Sequence, residues 1–509
     1  MTILVFGAAL AGSTGNVIAQ SSADLGSPAG RAWNIVPSVT VQETFTDNVA
    51  PGQGTKTGDQ ITEISPGIRL DGNTARLKMH LDYHLSELLY AQGTRGSQTQ
   101  HSLNSFGTLE AVEKLLFVDV NGGISRQNIS AFGVQSPSYY SDNNNSTETK
   151  FFRISPYLRG KAGSSADYEA RYSRSFLRAK SSAGSDSDIQ ELQGRIQGDS
   201  PLTFLGWSAD ASRQKFDYSL GRRNESDRLR GQLIFRVDPQ LRFSASLGRE
   251  NNDFLSLSKQ SWNTSGYGAD WNPTERTQLS AFREKRFFGH GHNFSARHRL
   301  PRSAISYVDS RDISALPNQV GTVGLGNIFD LLFSQMTSSI PDRAARTAFV
   351  NNLLQQNGIA PNAQVNAGFL SSQVTVMRRQ ELSYALLGVR NTLTLAVNRT
   401  RNDSLGTLLV ATDDFSNVSA ITQQGFSASW SHQLSALSSL SVTGARSRST
   451  GASTTSTVNP ESTQKSLSAG ITTKLGAKTN GALTARRTET SGTSPYTENA
   501  VVGSISVQF

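Results

Sequence analysis

The sequence predicts an all-β fold, a single large antiparallel transmembrane β-barrel of about 22 strands (between 18 and 24) with one helical insertion. Three observations lead to this prediction. Apolar and polar residues alternate strictly, long and short connections alternate along the chain, and the last strand ends on an aromatic residue. Together they are typical of a sheet that closes on itself in a bilayer.

The alternation of apolar and polar residues is clearest at residues 76–90, RLKMHLDYHLSELLY. Every second residue from Leu77 to Leu85 is apolar, and every second residue from Arg76 to His84 is ionisable. Successive side chains of a strand point to opposite faces, so this segment predicts a strand with one apolar and one charged face. A helical period would scatter both sets around the helix.

The predicted connections alternate in length. Residues 46–59 and 91–100 form long polar connections, whereas 71–74 and 113–114 form short ones. Outer-membrane barrels have this asymmetry, with short periplasmic turns and long extracellular loops. Because lipid offers no partner for an open sheet edge, a sheet whose apolar face meets lipid has to close. A β-sandwich or multi-domain soluble β protein and a parallel β-helix are the alternatives, although no fixed repeat period supports the β-helix.

Both ends of the chain carry recognisable signals. Residues 1–19 are uncharged and end in a small-residue cleavage site, so they resemble a signal peptide without a basic n-region, which leaves the true start codon open. A buried N-terminal strand is the alternative. The outer-membrane barrel is predicted over residues 33–509, and Ile505, Val507 and Phe509 share one face of its last strand. This pattern is similar to the C-terminal signal that the barrel-assembly machinery reads.

One segment departs from the strand pattern. Residues 314–372 include apolar positions at helical spacing, with a helix start at Pro341 and a stop at Gly358. Counting strands places this insertion on the extracellular side. We expect a helical lid or lumen plug there, because wide barrels tend to be plugged, and an external loop decoration is the alternative.

The composition limits the kinds of functional site and partner that the chain can have. The absence of cysteine excludes disulfides, thiolate nucleophiles and zinc-thiolate sites. The net charge of +9 predicts anionic partners. No compact basic run points to nucleic acid, and no phosphate loop or dinucleotide fingerprint predicts a cofactor.

Several basic side chains of the predicted strands have the polar parity. Charge on the lipid face near the midplane costs about 2–4 kcal/mol per arginine, so the inner face is favoured. The predicted lumen-facing basic residues are Arg76, Lys78, Arg171, Arg228, Arg230, Arg236, Arg242 and Arg486. Rings of such side chains select anionic solutes, whereas ion pairs with Asp82, Asp167 and Glu169 would make them a structural network instead.

Candidate catalytic and metal sites are weak, so we predict no enzyme and no metal site. The stretch GDSPL places Ser200 in a predicted tight turn and lacks a nucleophile elbow. His80 and His84 share a strand face but lie about 13 Å apart, too far to share a metal ion. His290 and His292 could approach each other, although a turn or rim position is the simpler reading.

Several separated stretches resemble one known family. They are PSVTVQETFTDNV (37–49), WNPTERTQLSAFREKRFFGHGHNFSARHR (271–299), YVDSRDIS (307–314), IPDRAARTAFVNNLLQQNGI (340–359) and RQELSYALLGVRNTLTLAVNRTR (379–401). They look like the outer-membrane protein family associated with PEP-CTERM/exosortase systems, which is itself similar to β-barrel porins. The resemblance implies an outer-membrane barrel of a Gram-negative bacterium that makes an exopolysaccharide, and it implies no catalytic residue.

The resulting expectation is an outer-membrane pore that passes, or helps to export, an exopolysaccharide or another anionic solute without a cofactor. A non-conducting scaffold for surface protein or polymer attachment is the alternative. An outer-membrane hydrolase using Ser200 or His290 is a third possibility. A TonB-dependent transporter fits less well, because it needs an N-terminal plug of over a hundred residues and strands are predicted from Trp33 onward.

Overall fold

The protein is represented by a computed structural model. It describes residues 32–50, 56–134, 140, 144–163, 165–182, 184–314, 346, 350, 369–405, 413–454, 457–493 and 495–509. Within this part of the chain the secondary structure is almost entirely strand, with one short 3₁₀ helix at Asp414–Ser416 and two further helical residues, Arg346 and Val350. No helix in the same residues has the length and apolar character needed to cross a bilayer.

Twenty-two strands follow one another along the chain. The first eleven are β1 (Trp33–Thr46), β2 (Asp59–Asn73), β3 (Leu77–Tyr90), β4 (Gln98–Val112), β5 (Leu116–Asn128), β6 (Ser146–Ala162), β7 (Ala166–Ala179), β8 (Ser187–Asp199), β9 (Leu205–Tyr218), β10 (Asn224–Arg236) and β11 (Leu241–Asn252). The others are β12 (Gln260–Thr274), β13 (Thr277–Arg286), β14 (Gly289–Arg299), β15 (Ser303–Ser314), β16 (Thr375–Leu387), β17 (Asn391–Ser404), β18 (Val418–Gln433), β19 (Ser438–Ser453), β20 (Glu461–Lys474), β21 (Thr479–Gly492) and β22 (Tyr496–Gln508).

The sheet closes into a barrel. Each strand pairs antiparallel with the strand before it, and β22 pairs antiparallel with β1 so that Ile505 lies opposite Val41. The predicted 22-stranded antiparallel barrel is therefore confirmed. Closure gives every strand two hydrogen-bonded neighbours, which is the condition for a sheet to exist in lipid.

The two faces of the wall differ as the alternation predicts. On the outer face Leu229, Leu233 and Leu247 are 61, 57 and 73% exposed. On the inner face Glu250 and Glu498 are completely buried. Large apolar side chains exposed outside a closed sheet, with ionisable ones enclosed by it, require lipid around the wall. The chain is an outer-membrane β-barrel of the Gram-negative type.

The connections orient the barrel. Short turns such as 74–76 and 237–240 lie at one end, together with the start of β1 and the end of β22. Long connections such as 129–145 lie at the other end, which is the extracellular one by the rule for such barrels. β12 continues to Thr274 through an irregular register, and the chain turns at 275–276.

Apolar clusters lie inside the extracellular end of the barrel. Ile61, Leu88 and Tyr90 are on the inner face of β2 and β3, yet Ile61 and Leu88 are only 1% exposed. They pack against Val49 and Tyr140 from two long connections. These connections therefore fold inward over the wall, and the hydrophobic core of the molecule is at its rim.

Candidate functional site: the inner wall and the mouth

The inner wall of β10–β15 contains a buried ionic network. Arg286 donates from Nε to Glu250 Oε2 at 3.0 Å and from Nη2 to Glu250 Oε1 at 2.7 Å. It also pairs with Asp312 of β15, and Arg228 of β10 pairs with Glu284, which is on the same strand as Arg286. The Arg286 side chain is 5% exposed and that of Glu250 is not exposed at all. Charges this deeply buried persist because each has an opposite partner.

A second ionic group lines β5–β8. Arg171 Nη1 lies 2.8 Å from Asp119, and Arg171 Nε lies 3.0 Å from Glu169. Its guanidinium stacks over the ring of Tyr157 with 3.8 Å to the centroid. On the same face, Arg153 Nη2 is 3.5 Å from Glu191. Ion pairs within one strand and between strands two positions apart therefore neutralise much of the inner surface.

The predicted lumen-facing basic residues divide into two groups. Most occupy inward strand positions and contact a carboxylate: Arg171, Arg228 with Glu284, Arg230 with Asp210, Arg236 with Asp199, and Arg486 with Glu498. Lys78 and Arg242 have the inward parity as well, whereas Arg76 lies exposed in the turn before β3. Whether any of them selects a solute stays a prediction.

One buried carboxylate links β21, β22 and β1, the strands where the sheet closes. Glu498 Oε1 accepts hydrogen bonds from Tyr140 at 2.6 Å and from Thr46 at 3.0 Å. Arg486 lies 3.3 Å from the same oxygen and also bonds Tyr140. Tyr140 in turn accepts at its backbone carbonyl from Tyr90. The long connection that contains Tyr140 is thus anchored inside the barrel.

Three extracellular segments meet over the mouth, and we call them the mouth bridge: residues 130–132, 369–374 and 413–416. Phe132, Phe369 and Phe415 form one buried cluster with Ile421 of β18. The Phe369 and Phe415 rings are 6.2 Å apart at their centroids. This cluster gives the mouth bridge an apolar core.

Hydrogen bonds join the three segments of the mouth bridge. The Ala131 N–H donates to Asp414 Oδ2 at 2.7 Å. The Ser372 N–H and hydroxyl both donate to Asp413 Oδ2, at 2.7 and 2.8 Å. The Leu370 N–H donates at 2.9 Å to the carbonyl of Asn128, the last residue of β5. Each segment is therefore held by at least one of the others.

The mouth bridge connects opposite sides of the barrel. Residues 130–132 follow β5, and residues 413–416 precede β18. In the closed ring of 22 strands, β5 and β17 are twelve positions apart in one direction and ten in the other. Phe132 also approaches β19, where a Cβ on Gly451 would lie 2.8 Å from its ring, so glycine permits the contact. The bridge thus crosses the extracellular opening.

The remaining predicted sites are not assembled in the described residues. Ser200 lies in the turn between β8 and β9, and His290 and His292 are on the outer face of β14. No group of three or more histidine or acidic residues in the described part of the chain is placed to hold a metal ion. Ile505 and Val507 lie on the outer face of β22, followed by an exposed Phe509.

Two predicted segments lie largely outside the described residues. They are the signal peptide at 1–19 and the helical insertion at 314–372. Of the insertion's interior, Arg346 and Val350 are described, and both are helical and buried. The mouth bridge was not predicted, because its contacts join residues almost 300 positions apart.

No family model and no curated protein matches the chain. Solved structures of similar shape include the FrpB iron transporter from Neisseria meningitidis, with 10% identity, a TM-score of 0.48, and coverage of 93% of this chain and 82% of that one. A mutant ferric enterobactin receptor from Pseudomonas aeruginosa has 10% identity, a TM-score of 0.43, and coverage of 94% and 80%. The siderophore receptor PirA from Acinetobacter baumannii has 7% identity, a TM-score of 0.47, and coverage of 93% and 80%. Likenesses at this level carry no functional argument.

Proposed function

We propose that the chain is a gated outer-membrane passage for hydrophilic solutes and that the mouth bridge is its gate. The observation that carries this proposal is the Ala131 to Asp414 contact, which joins loops from opposite sides of the opening. A few hydrogen bonds and one aromatic cluster hold the bridge, whereas the wall beneath it is a continuous ladder. Loops of low local stability on a rigid frame are the elements that move in gating.

The inner wall favours a hydroxyl-rich cargo. On β18–β21 the inward positions carry mainly hydroxyl side chains, namely Ser427, Ser429, Ser431, Ser441, Thr443, Ser449, Ser462, Ser466, Ser468, Thr484, Thr488 and Thr490. Hydroxyls donate and accept, so they suit sugars without demanding a charge. The exopolysaccharide expected from the family resemblance is our first candidate cargo. The ion pairing of the inner arginines supports weaker anion selectivity than an unpaired ring would give.

The covered mouth also fits the second candidate, a non-conducting scaffold for surface polymer or protein. The two proposals differ in whether opening the mouth bridge creates an aqueous path. Planar-bilayer conductance therefore separates them.

A reversible crosslink tests the gate. The chain has no cysteine of its own, so Ala131→Cys together with Asp414→Cys introduces a single possible disulfide. We expect single-channel conductance to fall at least about tenfold on oxidation and to return on reduction, because the crosslink holds the bridge closed. Formation of the disulfide is checked by gel migration with and without reductant.

The matched control places the crosslink on one side of the same rim. Ser181 donates from its N–H to the Thr147 hydroxyl at 2.9 Å; Thr147 is near the start of β6, and Ser181 follows the end of the adjacent β7. Thr147→Cys with Ser181→Cys should leave conductance unchanged. A protein that conducts equally with the Ala131 and Asp414 crosslink in place would refute the gate, and absence of conductance after reduction would favour the scaffold.

The gate should respond to pH through Asp414. Burial is the main cause that raises the pKa of this carboxyl, and the charge of Asp413 adds to it, while hydrogen bonds from Ser130 and Ala131 oppose the rise. A raised pKa in the closed state means that closure is most stable below the ordinary value of about 4 and weakens as pH rises through the raised pKa. We expect bilayer conductance to increase as the pH rises from about 4 through the raised pKa, and Asp414→Asn to flatten that increase.

A further inference from the structure

The outer face of β13–β17 carries a row of basic side chains that the proposed gate does not use. Arg283 lies opposite His292, His292 opposite Arg311, Arg311 opposite Arg378, and Arg378 opposite Arg401. We call these five residues the cationic row. Adjacent strands are about 4.8 Å apart, so the row places four guanidinium groups and one imidazole along about 20 Å of the outer wall.

The cationic row sits directly above the apolar band. The exposed apolar side chains Phe294, Ile305, Leu382 and Val397 occupy the outer face of β14–β17 nearer to the short turns. Closer to the long loops, the outward-facing positions of these strands are occupied by the residues of the cationic row. The row is therefore at the level of the head groups of the outer leaflet.

Two carboxylates neutralise only part of the positive charge of the cationic row. Asp309 is shared, since it lies 2.9 Å from His292 and 2.8 Å from Arg378. Asp403 lies 2.8 Å from Arg401. Among the described residues Arg283 contacts no carboxylate, and Arg311 donates only to the carbonyls of His290 and Phe288.

The positive surface continues onto β17–β20. Arg399 faces Gln380 and Gln424 across its two neighbouring strands, and Arg446 faces Lys465. Neither Arg399 nor Arg446 contacts a carboxylate in the described part of the chain. Glu489 faces Lys465 from β21 and compensates one of these two charges. Like charges directly opposite each other destabilise a sheet, so the remaining charge of Arg446 calls for an anion.

We propose that the cationic row and its continuation bind the phosphate groups of phosphorylated lipid in the outer leaflet. Arginine engages phosphate through two parallel N–H donors, and the three adjacent arginines Arg311, Arg378 and Arg401 match more than one phosphate on a single head group. The apolar band below receives the acyl chains of the same lipid. This continuity of charged and apolar surface selects a lipid as the occupant rather than a free anion.

Binding of diphosphoryl lipid A to the detergent-solubilised barrel, followed by native mass spectrometry, tests the proposal. The row variant combines Arg283→Gln, Arg311→Gln and Arg401→Gln. We expect its affinity for lipid A to fall at least about tenfold, since each basic residue near a lipid surface contributes a several-fold factor. Dephosphorylated lipid A should bind the unaltered protein weakly, and millimolar inorganic phosphate should not displace the lipid.

The matched control removes basic residues whose charge is already paired. Arg213 and Lys215 are on the outer face of β9 toward the long loops and lie within 3.7 Å of Glu225 on β10. Arg213→Gln with Lys215→Gln should retain lipid A affinity within about twofold. Equal affinity of the row variant and the unaltered protein would overturn the proposal, as would equal binding of dephosphorylated lipid.

A gain of one acidic group provides a test that does not depend on the row variant folding. Gln424 is exposed between Arg399 and Arg448. Gln424→Glu adds a carboxylate there, so we expect thermal stability without lipid to stay equal or rise while lipid A affinity falls about threefold or more. Unchanged lipid affinity in a folded Gln424→Glu protein would contradict the proposal.

Discussion

Replacing Arg286 by leucine should lower the free energy of unfolding by about 3–5 kcal/mol, because it leaves the carboxylate of Glu250 buried without its cation. Glu250 has no exposed surface, and Arg286 holds both of its oxygens. Glu250 also accepts a hydrogen bond from the Asn252 side-chain amide at 3.4 Å. Urea titration of the barrel folded in phospholipid vesicles measures the change.

A double variant distinguishes loss of the ion pair from loss of packing. Arg286→Leu with Glu250→Leu removes both charges, so it should recover most of the stability, as apolar replacement of buried pairs commonly does. The exposed pair of Arg487 and Glu489 serves as control, with 2.6 Å between the groups and 60% and 42% exposure. Arg487→Gln should cost less than about 1 kcal/mol. A similar loss for Arg487→Gln and Arg286→Leu would contradict the assigned role of burial.

The local alternation of apolar and polar residues was sufficient to predict most strands. Around Asp238, apolar and polar residues alternate in the sequence, and the structure has the strands Asn224–Arg236 and Leu241–Asn252 there. Period-two alternation on both sides of a turn residue is information contained in neighbouring positions. Closure followed from the same pattern, because the apolar parity in so many strands leaves lipid as its only suitable surroundings.

The interior of the extracellular end could not be predicted in this way. Ile61 and Leu88 have the inward parity although they are apolar, so alternation alone makes them exceptions. Their burial depends on Val49 and Tyr140, which belong to loops without any periodic pattern. The mouth bridge has the same origin, since Ala131 and Asp414 meet only after the ring has closed.

The basic residues of the outer face were not predicted, because the alternation of inward and outward positions was considered without the depth of each residue in the bilayer. In LTLAVNRTR the residues Leu395, Val397, Arg399 and Arg401 share one parity, so the outward face changes from apolar to basic along a single strand. That change marks the upper limit of the apolar band. An arginine beyond this limit meets head groups rather than hydrocarbon, and the cost expected at the midplane does not apply.

The outer face near the middle of β10 lies deepest in the hydrocarbon, so a charge there should cost the most stability. Leu233 is on the outer face, 57% exposed, and lies between the outward Leu229 and Val237. Leu233→Arg should therefore reduce the free energy of unfolding in vesicles by about 2–4 kcal/mol, the cost of a cation near the bilayer midplane. The measurement is the midpoint and slope of a urea titration in phospholipid vesicles.

The adjacent residue provides a control that differs only in the face it occupies. Gln232 points inward between Ser208 and Ser246, so Gln232→Arg adds the same side chain to the polar interior. We expect this variant to lose less than about 1 kcal/mol, because the guanidinium keeps water or hydroxyl partners there. Equal losses at positions 232 and 233 would mean that the two faces of β10 are solvated alike. The assignment of lipid to the outer face would then fail, and with it the placement of the cationic row at the level of the head groups.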